Sequence, residues 1–111
     1  MFAELGFFGL FFFLLFGHTL ADYPLQNDFL AQAKNRHTDL GKLYWKHALF
    51  GHSMIHAGFV ALFTGSVVLG LLELLLHAHT DYRKCEGKIS INHDQFIHIA
   101  AKVLWAWIAC T

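Results

Sequence analysis

The stretch Gly51-His52-Ser53-Met54-Ile55-His56 stands at the head of an apolar run from Ala48 to about Leu76. Histidines four residues apart share one helical face, about 6 Å from each other along the axis. Two imidazoles so placed can reach one metal ion, as in HExxH helices. Working outward, the same spacing recurs in His18 and Asp22, in His77 and Asp81, and in Asp94 and His98. Four apolar segments each carry one such pair, so the sequence reads as an all-α bundle of about four helices with a shared polar site.

Composition sets the surroundings. The chain has 111 residues, enough for a single domain (1–111), and is 56% hydrophobic but only 14% charged. That is too apolar for an ordinary water-exposed domain of this size and fits an integral membrane bundle. Its formal net charge of zero leaves no basic footprint for nucleic acid. Membrane lipid is the expected partner, and a second copy of the chain is the expected protein partner because four helices make a thin bundle. Cys85 and Cys110 form no CxxC and are expected at opposite membrane faces as free thiols.

The helices are expected as follows. Met1 to Ala21 is one apolar span interrupted only by Glu4 and His18. No basic residue precedes it and no small-residue cleavage site follows, so it reads as a retained helix and not a signal peptide. Pro24 ends it. Segment 25–46 is polar and basic, with scattered Phe, Leu, Tyr and Trp, and suits a short interfacial helix. Residues 48–82 are too long for one span and divide at Thr64-Gly65-Ser66, giving helices near 47–63 and 67–83. A last helix begins near Asn92, read as its N-cap, and ends near Ala109.

Seven of the eight Lys and Arg residues lie in the connections 23–46 and 83–92, and the eighth is Lys102. By the positive-inside rule both connections are cytoplasmic and both termini lie outside. In an up-and-down bundle all four pairs then meet at the cytoplasmic face. Asp22, Asp81 and Asp94, with His52, are expected as an outer layer, and His18, His56, His77 and His98 as a layer one turn deeper.

These eight residues are the expected metal ligands. Mixed imidazole and carboxylate donors suit Zn²⁺ foremost, with Mn²⁺ or Fe²⁺ also fitting, and eight donors suit two ions per chain. Asp22, Asp81 and Asp94 are also the candidate catalytic carboxylates, one of them serving as general base. Gln26, Lys34, Lys84 and Gln95 are expected at the mouth as substrate-binding groups. Glu73 and Lys102 lie one turn below His77 and His98 and are expected to pair, with Glu73 orienting His77. His37, His47, His79 and His93 fall outside the pattern and read as surface residues.

In order along the chain stand His18-x3-Asp22-x2-Leu25-Gln26, Ala33-Lys34, His52-x3-His56, His77-x3-Asp81-x2-Lys84 and Asp94-Gln95-x2-His98. This set resembles the small bacterial and phage membrane proteins grouped as domain of unknown function 3307, over nearly the whole chain. The resemblance implies a multi-pass protein of the bacterial inner membrane and carries no activity with it. A looser likeness links the scattered His and Asp motifs to membrane-bound metal-dependent hydrolases.

Three functions compete at this level. The leading one is a metal-dependent hydrolase acting at the cytoplasmic leaflet on a phosphoester, lipid-linked or nucleotide. The second is a transporter or channel for divalent metal or protons, with the same cluster as transit site. The third is a di-iron or haem redox protein. Haem uses only two axial histidines and leaves six matched groups without a role.

Overall fold

The computed structural model describes residues 2–111, so Met1, the expected start of the first helix, lies outside the described residues. Phe2–Leu5 form a 3-10 turn, and α1 runs Gly6–Asp22. The span expected from Met1 is broken because Gly6 sits at φ +79°, a left-handed conformation no continuous helix contains. Tyr23 then closes α1 on the carbonyl of Thr19, just before Pro24.

The basic segment contains more helix than expected. Asn27 caps α2 (Asp28–Ala33), its side chain accepting from the Leu30 N–H at 2.8 Å. Thr38 then caps α3 (Asp39–Thr64), accepting from the Gly41 N–H at 2.9 Å. The second long helix therefore starts at Asp39 and not near residue 47. Lys42 and Lys46, expected in a connection, are on the exposed face of its first turns with His47. His52 and His56 consequently lie in the middle of α3.

The turn at 64–66 is where it was expected. Gly65 is left-handed at φ +73°, and Ser66 caps α4 (Val67–Cys85). α5 covers Ile91–Cys110, and its cap is Ser90, which accepts from the His93 N–H at 3.1 Å. Asn92, the expected cap, is already inside the helix. α1 packs on α3 and α5, α4 packs on the same two, and α3 and α5 approach across the diagonal. At the α3–α4 contact Gly70 matters, since a Cβ there would stand 2.9 Å from both the Ala57 carbonyl oxygen and the Ala61 side chain.

The bundle has two unlike halves. One is filled by Leu10, Leu14, Val60, Phe63, Leu69, Ala101, Trp105 and Ala106. The other is filled by His18, His52, His56, His77, Asp81, Asp94 and His98, all buried. Outside, the pattern reverses: Phe8 is 83% exposed, Val67 72% and Phe96 70%. Among the described residues no helix is long and apolar enough to cross a membrane, where four spans were expected. Two features account for the difference. α1 keeps only 17 residues, about 26 Å of rise against a core of roughly 30 Å. α4 and α5 spend their inward faces on Glu73, His77, Asp94, His98 and Lys102.

Beyond the bundle end, Glu86 ties the α2–α3 connection to α4. Arg36 and His37 bind its carboxylate, and the Tyr82 hydroxyl donates to it at 3.1 Å. These bonds, the Arg36 one foremost, hold the Glu86 carboxyl down to about 2 against an ordinary 4.5. A depressed carboxylate contributes stability in full above its unfolded value and loses it as pH falls toward the folded one. Acid should therefore loosen the 34–38 connection between about pH 4.5 and 2. Glu86→Gln should remove that dependence, with protease nicking near Arg36 against pH as the readout.

Candidate metal centre

α1 delivers Asp22 on its last residue, and Asp22 is the hub. Its Oδ1 lies 2.8 Å from His56 Nε2 and 3.3 Å from His52 Nε2. Its Oδ2 lies 3.2 Å from His18 Nε2 and accepts from Gln95 Nε2 at 3.3 Å. α3 delivers His52 and His56 one turn apart, with ring centres separated by 4.8 Å. α4 delivers His77, stacked on His56 at 3.8 Å and on His98 of α5 at 4.1 Å. His18 completes the group, 5.1 Å from His56 and 5.7 Å from His98. Six of the eight expected residues thus meet around Asp22.

One donor atom from each of Asp22, His52, His56 and His77 lies within 4.8 Å of the others. Around a tetrahedral ion with ligand bonds of about 2.0–2.1 Å, donors stand about 3.3 Å apart. The Asp22–His52 and Asp22–His56 separations, 3.3 and 2.8 Å, lie within about half an ångström of that figure. A carboxylate with three neutral imidazoles also has the right chemistry for a borderline divalent ion.

Glu73, His77 and His98 make a second convergent set within the same limit. Glu73, however, is already engaged. Its Oε2 accepts from Lys102 Nζ at 3.0 Å and lies 3.2 Å from His77 Nδ1, while its Oε1 accepts from the Trp105 indole at 2.9 Å. All of these groups are buried. The expected Glu73–Lys102 pair is present, and Glu73 does touch His77. An ammonium 3.0 Å from the carboxylate opposes a second cation there. Trp105 went unnoticed in the sequence; its only signal was its position three residues after Lys102, on the same helical face.

Three expected roles change in the structure. Asp81 holds Lys34 at 2.7 Å and Lys84 at 3.2 Å, with His52 Nε2 only at 3.8 Å, so it is a lysine anchor more than a ligand. Lys34, expected at an open mouth, is 5% exposed because α2 folds back and carries it inward. Asp94 stands apart from the Asp22 set, 3.2 Å from His98 Nε2 and accepting from Gln95 at 3.2 Å. Gln95 also lies 3.0 Å from His18 Nε2, a bridging position. Gln26 bonds back to the Asp22 carbonyl at 3.3 Å.

Asp22, His52, His77, Asp94 and His98 line a cavity of about 100 Å³ together with Lys34, Asp81, Lys84, Gln26, Gln95, Tyr23 and Ile91. Four ring nitrogens, Nδ1 of His18, His52, His56 and His98, are buried without a partner among the described residues. A buried nitrogen left without a hydrogen bond costs about 1–3 kcal/mol. His37, His47, His79 and His93 are exposed and take no part.

No curated protein and no solved structure shows significant similarity to the chain. A family model described as "Protein of unknown function (DUF3307)" matches residues 10–110. The ordered His and Asp pairs that build this centre lie within that match, and the chain belongs to the DUF3307 family.

Proposed function

We propose that this protein is a membrane-embedded, metal-dependent hydrolase acting on a phosphoester at the cytoplasmic leaflet. The observation that carries the reading is the convergence of Asp22, His52, His56 and His77 beside a cavity lined by Lys34, Lys84 and Gln95. Those four donors fit one divalent ion, zinc foremost with manganese or iron as alternatives. One ion, and not the two expected from eight donors, suits the set, because Asp81 is held by two lysines and Asp94 stands apart beside His98. The bound ion supplies Lewis acidity and lowers the pKa of water at the site.

The remaining groups divide the work. Asp94 has no lysine within ion-pair reach and faces the cavity, which suits a general base for water. Water adds to phosphorus, the ester P–O bond breaks, and the proton taken by Asp94 passes to the leaving oxygen. Asp81 holds the two lysines where an anionic substrate is received.

Membrane embedding is supported by the inverted distribution, with polar groups inside and Phe8, Phe12, Val67, Leu75 and Phe96 outside. Exposed apolar belts of this extent mark lipid or partner contact. The positive-inside rule, applied to the basic connections, supports a cytoplasmic opening. A transporter needs a path to the opposite side, and below Glu73, Lys102 and Trp105 the bundle is closed by Leu10, Leu14, Val60, Phe63 and Leu69.

The test is metal analysis of detergent-purified protein, with phosphate release from lipid phosphates and nucleotides set beside metal uptake into proteoliposomes. About one divalent ion per chain and metal-dependent phosphate release are expected, without uptake. Uptake that requires His56, with no phosphoester turned over, would reverse the assignment.

A further inference from the structure

The charged groups lining the cavity are Asp22, Asp81 and Asp94 against Lys34 and Lys84. These carboxylates and ammonium groups alone sum to one negative charge. A divalent ion on the Asp22 set turns that sum to one positive charge. Before the ion arrives the cavity repels an anion, and afterwards it attracts one. The two ammonium groups share one carboxylate, at 2.7 Å on Oδ2 and 3.2 Å on Oδ1 of Asp81. Each keeps further N–H donors free for a second acceptor. Lys34 is buried and pinned by this pair at the end of α2, so its donors are positioned in advance.

Size and shape narrow the ligand. The cavity measures about 100 Å³ and includes the stacked His77 and His98 in its lining. A space of this size suits a compact terminal group. A phosphate monoester presents such a group, and a diester does not. From these observations, and resting on the metal centre proposed above, we infer that the cavity binds the terminal phosphate of a monoester through Lys34, Lys84 and Gln95, and only after the cation is in place. Whether that phosphate comes on a lipid or on a soluble molecule, the recognising chemistry is the same.

The experiment uses the full chain in detergent, stripped of metal or loaded with zinc, and follows inorganic phosphate binding by calorimetry. Binding is expected in the loaded protein alone. Lys84→Met should weaken it by about tenfold or more, the worth of a charge-assisted hydrogen bond, and Lys84→Arg should restore part. Lys88→Met, outside the cavity, is the charge control and should leave binding unchanged. Displacement of phosphate by nanodiscs containing a diacylglycerol phosphate assigns a lipid source, and displacement only by soluble monoesters assigns a soluble one. A chain that takes up no zinc overturns the metal centre itself. A chain that takes up zinc and ignores phosphate, binds it equally without metal, or is indifferent to Lys84→Met overturns this inference alone.

Discussion

Asp22→Asn is expected to empty the metal centre. Asp22 is the one carboxylate in the four-donor set, and its two oxygens meet His18, His52, His56 and Gln95. Asparagine keeps the shape and one acceptor, so the helices should remain packed. It removes the negative charge that offsets the cation and a strong oxygen donor. Replacing a group that merely orients a ligand costs 10–100-fold in metal affinity, so loss of a ligand should exceed about a hundredfold. Elemental analysis after dialysis reads this directly, with circular dichroism reporting the helices. His56→Ala should behave alike, whereas His79→Ala, on an exposed face, should keep full metal content. Unchanged metal in Asp22→Asn would place the ion elsewhere.

The second large effect concerns the floor of the site. Glu73 and Lys102 are each almost wholly buried and lie 3.0 Å apart. Glu73→Gln or Lys102→Met alone leaves one charge in an apolar surrounding, at about 3–5 kcal/mol. The double variant should recover most of that, since no charge remains and glutamine still offers an oxygen to the Trp105 indole. Metal affinity should not recover with it. His77 Nδ1 faces Glu73 Oε2 at 3.2 Å, and a neutral amide orients and polarises that ring less well. Thermal unfolding and metal titration of the four chains would separate the two roles. Additive losses of stability in the double variant would show that the two side chains are not coupled.

Much of the site was legible because its grammar is local. A spacing of four puts two side chains on one helical face whatever the rest of the chain does, so the four pairs and the Glu73–His77 step could be read directly. Their convergence at one end of the bundle was expected from an up-and-down order of the helices. What stayed hidden was tertiary. Nothing near Lys34 says that α2 will turn it inward onto Asp81, forty-seven residues away. Nothing near Trp105 names its acceptor. Element boundaries shifted for a related reason. Thr38 and Ser90 compete with other polar residues nearby, and only the final backbone decides which hydroxyl meets a free N–H. Along Asp39–Lys46 the polar face of a helix was indistinguishable from a polar connection.

The closed floor has a consequence for rate. A site backed by Leu10, Leu14, Val60 and Phe63 has one doorway. If the proposed hydrolysis runs here, reactant and product would share that side of the bundle, and the charges that draw a phosphate in would also hold a released one. Departure, and not bond breaking, would then govern the tempo, and such an enzyme would slow as its own product accumulates.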